Sequence, residues 1–229
     1  MKVKSKTWES SKAFWGVEKS LSTFLVLLLL SVFILPPLMP VMPLGGLVRD
    51  LIFTVLLISG VVVSSKQRLV ALILSAIVLA AIVVHWVSFF KPAAVPEVWL
   101  AAGSLASTGI FLFVILGQVF RSGPVTRHRI EGAIAAYLLL GLTWASAYGL
   151  VASILPDAFA GAVPSGSNTG SRWIYFSFVT LTTMGYGDIT PVHSISRSLA
   201  ILEALTGQLY PAILLARLVS LELLSHEKE

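Results

Sequence analysis

The sequence predicts an all-α membrane protein of six transmembrane helices, with a re-entrant half-helix and an extended loop between the fifth and the sixth. Three observations carry this expectation. Of 229 residues, 56% are hydrophobic and only 12% charged, whereas soluble domains hold roughly 25% charged residues. The mean hydropathy of +0.90 means more apolar surface than one small core can hide, so lipid is the expected solvent. Six segments reach the roughly 20 apolar residues that a spanning helix requires: residues 19–38, 46–64, 68–90, 97–120, 130–154 and 195–222.

Residues 1–18 form a basic N-terminal segment ahead of an apolar run from Leu21 to Leu35. A signal peptide has this outline, but no small-residue cleavage site follows. The chain continues Pro36-Pro37-Leu38-Met39-Pro40, and the run reads as an uncleaved first span. Pro36 and Pro37 close that span, Pro92 and Pro96 separate the third from the fourth, and Pro124 precedes the fifth. Proline ends helices because it lacks a donor and restricts the residue before it. Without cysteine there is no disulfide framework, no thiolate metal site and no Cys nucleophile.

Orientation follows from the sixteen Lys and Arg residues. With a cytoplasmic N-terminus, one side carries Lys2, Lys4, Lys6, Lys12, Lys19, Lys66, Arg68, Arg121, Arg127, Arg129, Arg217 and Lys228. The other carries Arg49, Lys91, Arg172 and Arg197. This positive-inside bias predicts cytoplasmic termini and a loop between the last two spans that enters from outside. In that loop, residues 156–170 are rich in Gly, Ser, Pro and Ala and read as an exposed turn region. Ser171 to Thr182 is aromatic and apolar, about three helical turns, too short to span and suited to a re-entrant helix buried in protein.

The motif follows at once: Thr182-Thr183-Met184-Gly185-Tyr186-Gly187-Asp188. Gly185 and Gly187 permit backbone conformations that a Cβ forbids. A backbone turned in this way presents carbonyl oxygens in a ladder. Such a ladder replaces the water shell of an ion without fixed charge, so the ion can leave again. With its Thr-rich lead, its Asp188 exit, the short helix before it and the long one after it, the segment resembles the signature of the potassium channels. The likeness covers roughly residues 130–224 and is to the two-helix pore of prokaryotic type.

That resemblance implies a pore half-helix, a selectivity-filter loop and assembly of four identical chains. It implies potassium sites at the carbonyls of Thr183, Met184, Gly185 and Tyr186, with Gly187 completing the filter and the Thr183 hydroxyl at its inner end. Met184 stands where the family usually has a branched aliphatic residue, with its side chain expected behind the filter. Tyr175 and Trp173 are competing donors to Asp188, and Thr182 leads into the filter. Tyr175 reads equally as an interfacial aromatic of the kind that lipid boundaries favour. Gly207, twenty residues after Gly187, matches the family's bending glycine. Pro211 cannot bond the Gly207 carbonyl, so a kink is expected there; close helix packing is the other use of such a glycine.

Glu203 and Gln208 are polar groups within the sixth span. An ionisable group at that depth faces protein or water. For Glu203 the readings are a protonated acid, a hydrogen bond to pore-helix hydroxyls, or exposure to the central cavity. Arg197 is positioned to meet an acid at the outer mouth.

Residues 19–129 form a four-helix domain and match no family named from sequence. The fourth span, Val98 to Val119, has no Lys or Arg, and the third has only His85. The first three are read as lacking acidic partners. A voltage sensor needs several charges in the field, each worth about 2.3 kcal/mol per 100 mV, so intrinsic voltage dependence is expected to be weak or absent. His85, His128 and His193 read as ordinary polar residues, with His193 a pH-sensing candidate at the outer mouth.

The expectation is a multi-pass protein of the cell membrane with potassium as its permeant ion, lipid and its own copies as partners, and no cofactor, enzymatic activity or nucleic acid. The other classes are a non-conducting scaffold or regulatory subunit with a pore-like fold and a secondary cation transporter. Transporters favour inverted repeats and coupling carboxylates, for which Glu203 alone is a thin case. Residues 225–229 are expected to be a short cytoplasmic tail.

Overall fold

In a computed structural model of the chain, residues 21–38, 42, 45–64, 68–91, 94–120, 126–161 and 169–226 are described. The basic segment 1–18, Lys66, Arg121, Pro124 and the last three residues lie outside the described residues. Helix α1 (Leu21–Leu38) is followed by α2 (Gly45–Ser64), α3 (Arg68–Phe90), α4 (Glu97–Val119) and α5 (Arg127–Ile154). After a single 3-10 turn come strand β1 (Phe159–Gly161), α6 (Thr169–Leu181), β2 (Ile189–Pro191) and α7 (Ser194–His226). Among the described residues, four helices are long and apolar enough to cross a membrane by length and composition: α1, α4, α5 and the Ser194–Ser220 part of α7. A shorter apolar stretch, Ser75–Phe90, lies within α3.

Local chemistry explains the irregular places. Pro36 and Pro37 remove the donors that would meet the carbonyls four residues earlier. Just before them, Leu30–Ile34 winds as a π-helix, and the helix runs on to Leu38. Along α7, Pro211 sits inside an uninterrupted helix. That helix extends through His226 and so takes in the first residues of the expected tail.

The loop 156–170 is not uniformly an exposed turn region. Its residues 159–161 pair antiparallel with 189–191, in the register Phe159 with Pro191 and Gly161 with Ile189. Gly161 has φ +120, and a Cβ there would overlap the Asp188 carbonyl oxygen and sit 2.9 Å from its carbon. Glycine is thus required where this strand crosses the end of the motif.

The largest core joins the N-terminal helices to α5. Phe24 and Leu28 of α1, Leu57 of α2, Phe111 and Ile115 of α4, and Ala135, Ala136 and Leu139 of α5 are all buried. Small residues on α5 let the neighbouring backbones approach closely. A second cluster gathers Ala145, Tyr148, Trp173, Phe176 and Ile189, with Phe159 against it. It fixes α6 between α5 and the β1–β2 pair.

One expectation needs correction in the first four helices. Asp50 lies within the second span, so those spans do hold an acid; it is 1% exposed and meets His85 Nε2 at 2.8 Å. Thr54 accepts from the Trp86 indole one turn away, a second polar tie between α2 and α3.

Candidate functional site

The motif leaves α6 as a tight reversal rather than a free loop. Thr182 N–H donates to the Phe178 carbonyl, Thr183 N–H to Thr180 and Met184 N–H to Val179, at 2.9–3.1 Å. The Thr182 hydroxyl also donates to the Phe178 carbonyl, at 2.6 Å. Thr183, Gly185 and Gly187 have φ of +60, +60 and +79, whereas Met184 and Tyr186 between them are not left-handed. Thr183 is the only non-glycine with positive φ among the described residues. For a β-branched residue this conformation is strained, at a cost of about 1–3 kcal/mol.

Two side chains hold the ends of this segment. At the inner end, Gln208 Nε2 of α7 donates to the Thr183 hydroxyl oxygen at 3.0 Å. At the outer end, the Tyr175 phenol donates to Asp188 Oδ2 at 2.7 Å, and Ile189 N–H donates to Oδ1. The hydrogen bond to Asp188, with desolvation and that carboxylate's charge adding, holds the Tyr175 phenol above its ordinary pKa. The Tyr175 and Tyr186 rings stack almost parallel, 4° apart. Trp173 points elsewhere: it is buried against Phe159, with Arg172 over its ring at 4.2 Å. Of the two competing donors, the phenol makes the bond to Asp188.

On a single chain Met184 is 63% exposed. Tyr186 is 65% exposed.

Gly207 and Glu203 lie where α7 crosses α6. A Cβ on Gly207 would overlap the Leu181 carbonyl oxygen and sit 2.8 Å from its carbon. Close packing is therefore an established role of this glycine. Glu203 is wholly buried rather than exposed to a cavity. Its Oε2 accepts from the Tyr148 phenol, and its Oε1 lies 2.5 Å from the Ser177 hydroxyl. Neither Tyr148 nor Ser177 stands out in the sequence; the available signal is a hydroxyl in an otherwise apolar helix. Further down α7, the Tyr210 phenol donates to the Ala133 carbonyl and Arg217 to that of Phe120. The Arg197 guanidinium donates to the Pro191 carbonyl and meets no acid among the described residues of the single chain. His193 accepts from the Ile195 amide at the start of α7.

A protein-family model described as an ion channel matches residues 136–222. The matched region runs from α5 through the motif and nearly to the end of α7. Protein LctB of Geobacillus stearothermophilus is 50% identical over 46 residues, 20% of this chain and 34% of that protein. Protein LctB of Bacillus caldotenax is 46% identical over 46 residues, with the same coverage. The match thus spans about a third of the length of these relatives. No solved structure matches. The chain is a multi-pass membrane protein carrying an ion-channel domain.

Proposed function

We propose that four copies of this chain form a potassium-selective channel that conducts passively down the ion gradient. The observation that carries this reading is the alternation of φ across Thr183–Gly187, directly after a short helix too brief to span. Alternating left- and right-handed residues gather amides on one side of the backbone and leave the carbonyls facing the other. An ion entering a low-dielectric site loses tens of kcal/mol of hydration unless oxygens replace the water. The carbonyls of Thr183, Met184, Gly185 and Tyr186, repeated from four chains, supply such oxygens.

Other features support the same reading. The C-terminal end of α6 abuts the inner end of the motif, and helix C-termini carry about half a negative charge each. Four such ends favour a cation below the filter. Met184 and Tyr186, so exposed on a single chain, become covered when neighbouring copies close the ring. One motif per chain makes a ring of four the natural closure. All six long helices then span the cell membrane, with both termini cytoplasmic as the Lys and Arg bias favours.

Voltage sensing has little to act through. The helix α4 holds no Lys or Arg, and the His85 of α3 is tied to Asp50. Conduction is therefore proposed to be voltage-independent.

Reconstitution into potassium-loaded liposomes tests the proposal. A channel gives a flux that collapses the electrical gradient, discriminates against sodium, and is blocked by barium or a quaternary ammonium ion. Uptake against a gradient would instead mark a transporter. Well-folded tetramers without flux would mark a scaffold.

A further inference from the structure

Three oxygen–oxygen contacts run in series through Glu203 and Ser177, all inside the protein. The Tyr148 phenol oxygen lies 2.5 Å from Glu203 Oε2. Glu203 Oε1 lies 2.5 Å from Ser177 Oγ. Ser177 Oγ in turn lies 2.7 Å from the Gly141 carbonyl oxygen. Each contact at such a distance needs a proton between its oxygens, because facing lone pairs repel. The phenol supplies one proton and the serine hydroxyl supplies one; the carbonyl supplies none. Three contacts and two hydroxyl protons leave one proton to find, and only the carboxyl can carry it.

We infer that Glu203 is a neutral carboxylic acid that clasps α5, α6 and α7 together, as a positioning residue for the filter. The proton order is then unique. Tyr148 O–H donates to Oε2, Glu203 Oε1–H donates to Ser177 Oγ, and Ser177 O–H donates to the Gly141 carbonyl. An ionised Glu203 would leave one close contact without a proton. It would also bury a charge with no Lys or Arg bonded to it among the described residues, an arrangement that proteins avoid. Ser177 lies one turn before Leu181, where α6 ends and the motif begins. The clasp thus sets the height of α6 without adding negative charge near the conduction path. Its bearing on the filter rests on the proposed function; its proton state does not.

The test is an infrared difference spectrum of purified protein at neutral pH, wild type minus Glu203→Gln. The expected result is a carbonyl-stretch band of a protonated carboxylic acid that is lost in the variant. Glutamine reproduces both roles: its N–H donates to Ser177 and its carbonyl accepts from Tyr148. Glu203→Gln should therefore keep the wild-type melting temperature and potassium-to-sodium flux ratio. Glu203→Ala should lower both, and if it does not fold, the spectrum of Glu203→Gln still decides the matter. A carboxylate band lost in place of the acid band would overturn the inference. So would a Glu203→Gln protein as unstable as Glu203→Ala. If wild type carries no potassium flux while the acid band and the melting temperatures come out as expected, the channel proposal falls and the neutral clasp stands.

Discussion

Replacing Gly207 with alanine sets two effects of opposite sign against each other. In a helix interior, Gly→Ala is favourable by about 1 kcal/mol. At this position the added methyl would sit 2.8 Å from the Leu181 carbonyl carbon and overlap its oxygen, whereas carbon atoms rest comfortably about 3.5–4.0 Å apart. A backbone carbonyl cannot swing aside as a side chain can. Either α7 or the end of α6 must move by the better part of an ångström. Overpacking costs about 1–3 kcal/mol, and a rigid obstacle puts this case at the upper end. The net expectation is a loss of about 2 kcal/mol per chain, by subtracting the propensity gain from the packing cost. For a chain of this length, each kcal/mol lowers the melting temperature by roughly 2–4 °C, giving a fall of about 4–8 °C in detergent. Because Leu181 precedes the motif directly, the potassium-to-sodium flux ratio should fall with it. A variant that melts as high as wild type, or higher, with unaltered flux would refute the close-packing argument.

The remaining predictions concern other contacts. Tyr175→Phe removes the phenol's bond to the Asp188 carboxylate at an exposed site; selectivity in liposome flux should weaken while the fold persists by circular dichroism. Gln208→Leu frees the Thr183 hydroxyl and leaves the strained φ at Thr183 less supported; single-channel conductance should change, with a stability loss of about 1 kcal/mol. Asp50→Ala breaks a buried pair and should cost on the order of 3 kcal/mol in thermal unfolding. The surviving channels should show the same flat response to membrane voltage.

Much of the architecture is legible in the sequence because one signal dominates it. A spanning helix must satisfy its own backbone in lipid, so runs of about 20 apolar residues translate directly into helices, and the observed bounds fall close to the expected ones. The strand at 159–161 is not legible in that way. Three residues carry no period, and a Phe-Ala-Gly sequence between glycines and prolines reads as a turn until its partner at 189–191 is known. The Tyr175–Asp188 bond is within reach of sequence because both residues lie within one short helix-and-loop segment, thirteen residues apart. The Tyr148, Ser177 and Glu203 meeting is not, because it depends on the relative rotation of three helices, which hydropathy does not encode. Asp50 shows a further limit: one carboxylate next to Arg49 in an otherwise largely apolar helix is easily passed over, though its burial against His85 makes it a principal polar tie of the N-terminal helices.

The contacts that α7 makes with α6 and the residues just after it form a seam. Ser177 meets Glu203, and one turn later Leu181 meets Gly207. Thr183 then meets Gln208, the neighbour of Gly207. A step of four residues on each helix keeps both partners on facing sides, so the seam runs from mid-helix to the inner end of the motif. Movement of α7 above residue 208 must carry α6 with it or break three different contacts. A bend that leaves the filter intact is therefore confined to the part of α7 below the seam. Pro211 lies there and leaves the Gly207 carbonyl without its helical donor. On this argument the flexible point is Pro211, with Gly207 as the fixed end of the lever. Pro211→Ala restores the missing bond and should stiffen the helix, stabilising the protein by about 1–3 kcal/mol and altering open probability in single-channel records without changing selectivity. If Pro211→Ala disturbs the potassium-to-sodium flux ratio and leaves opening unchanged, the seam does not isolate the filter from the bend.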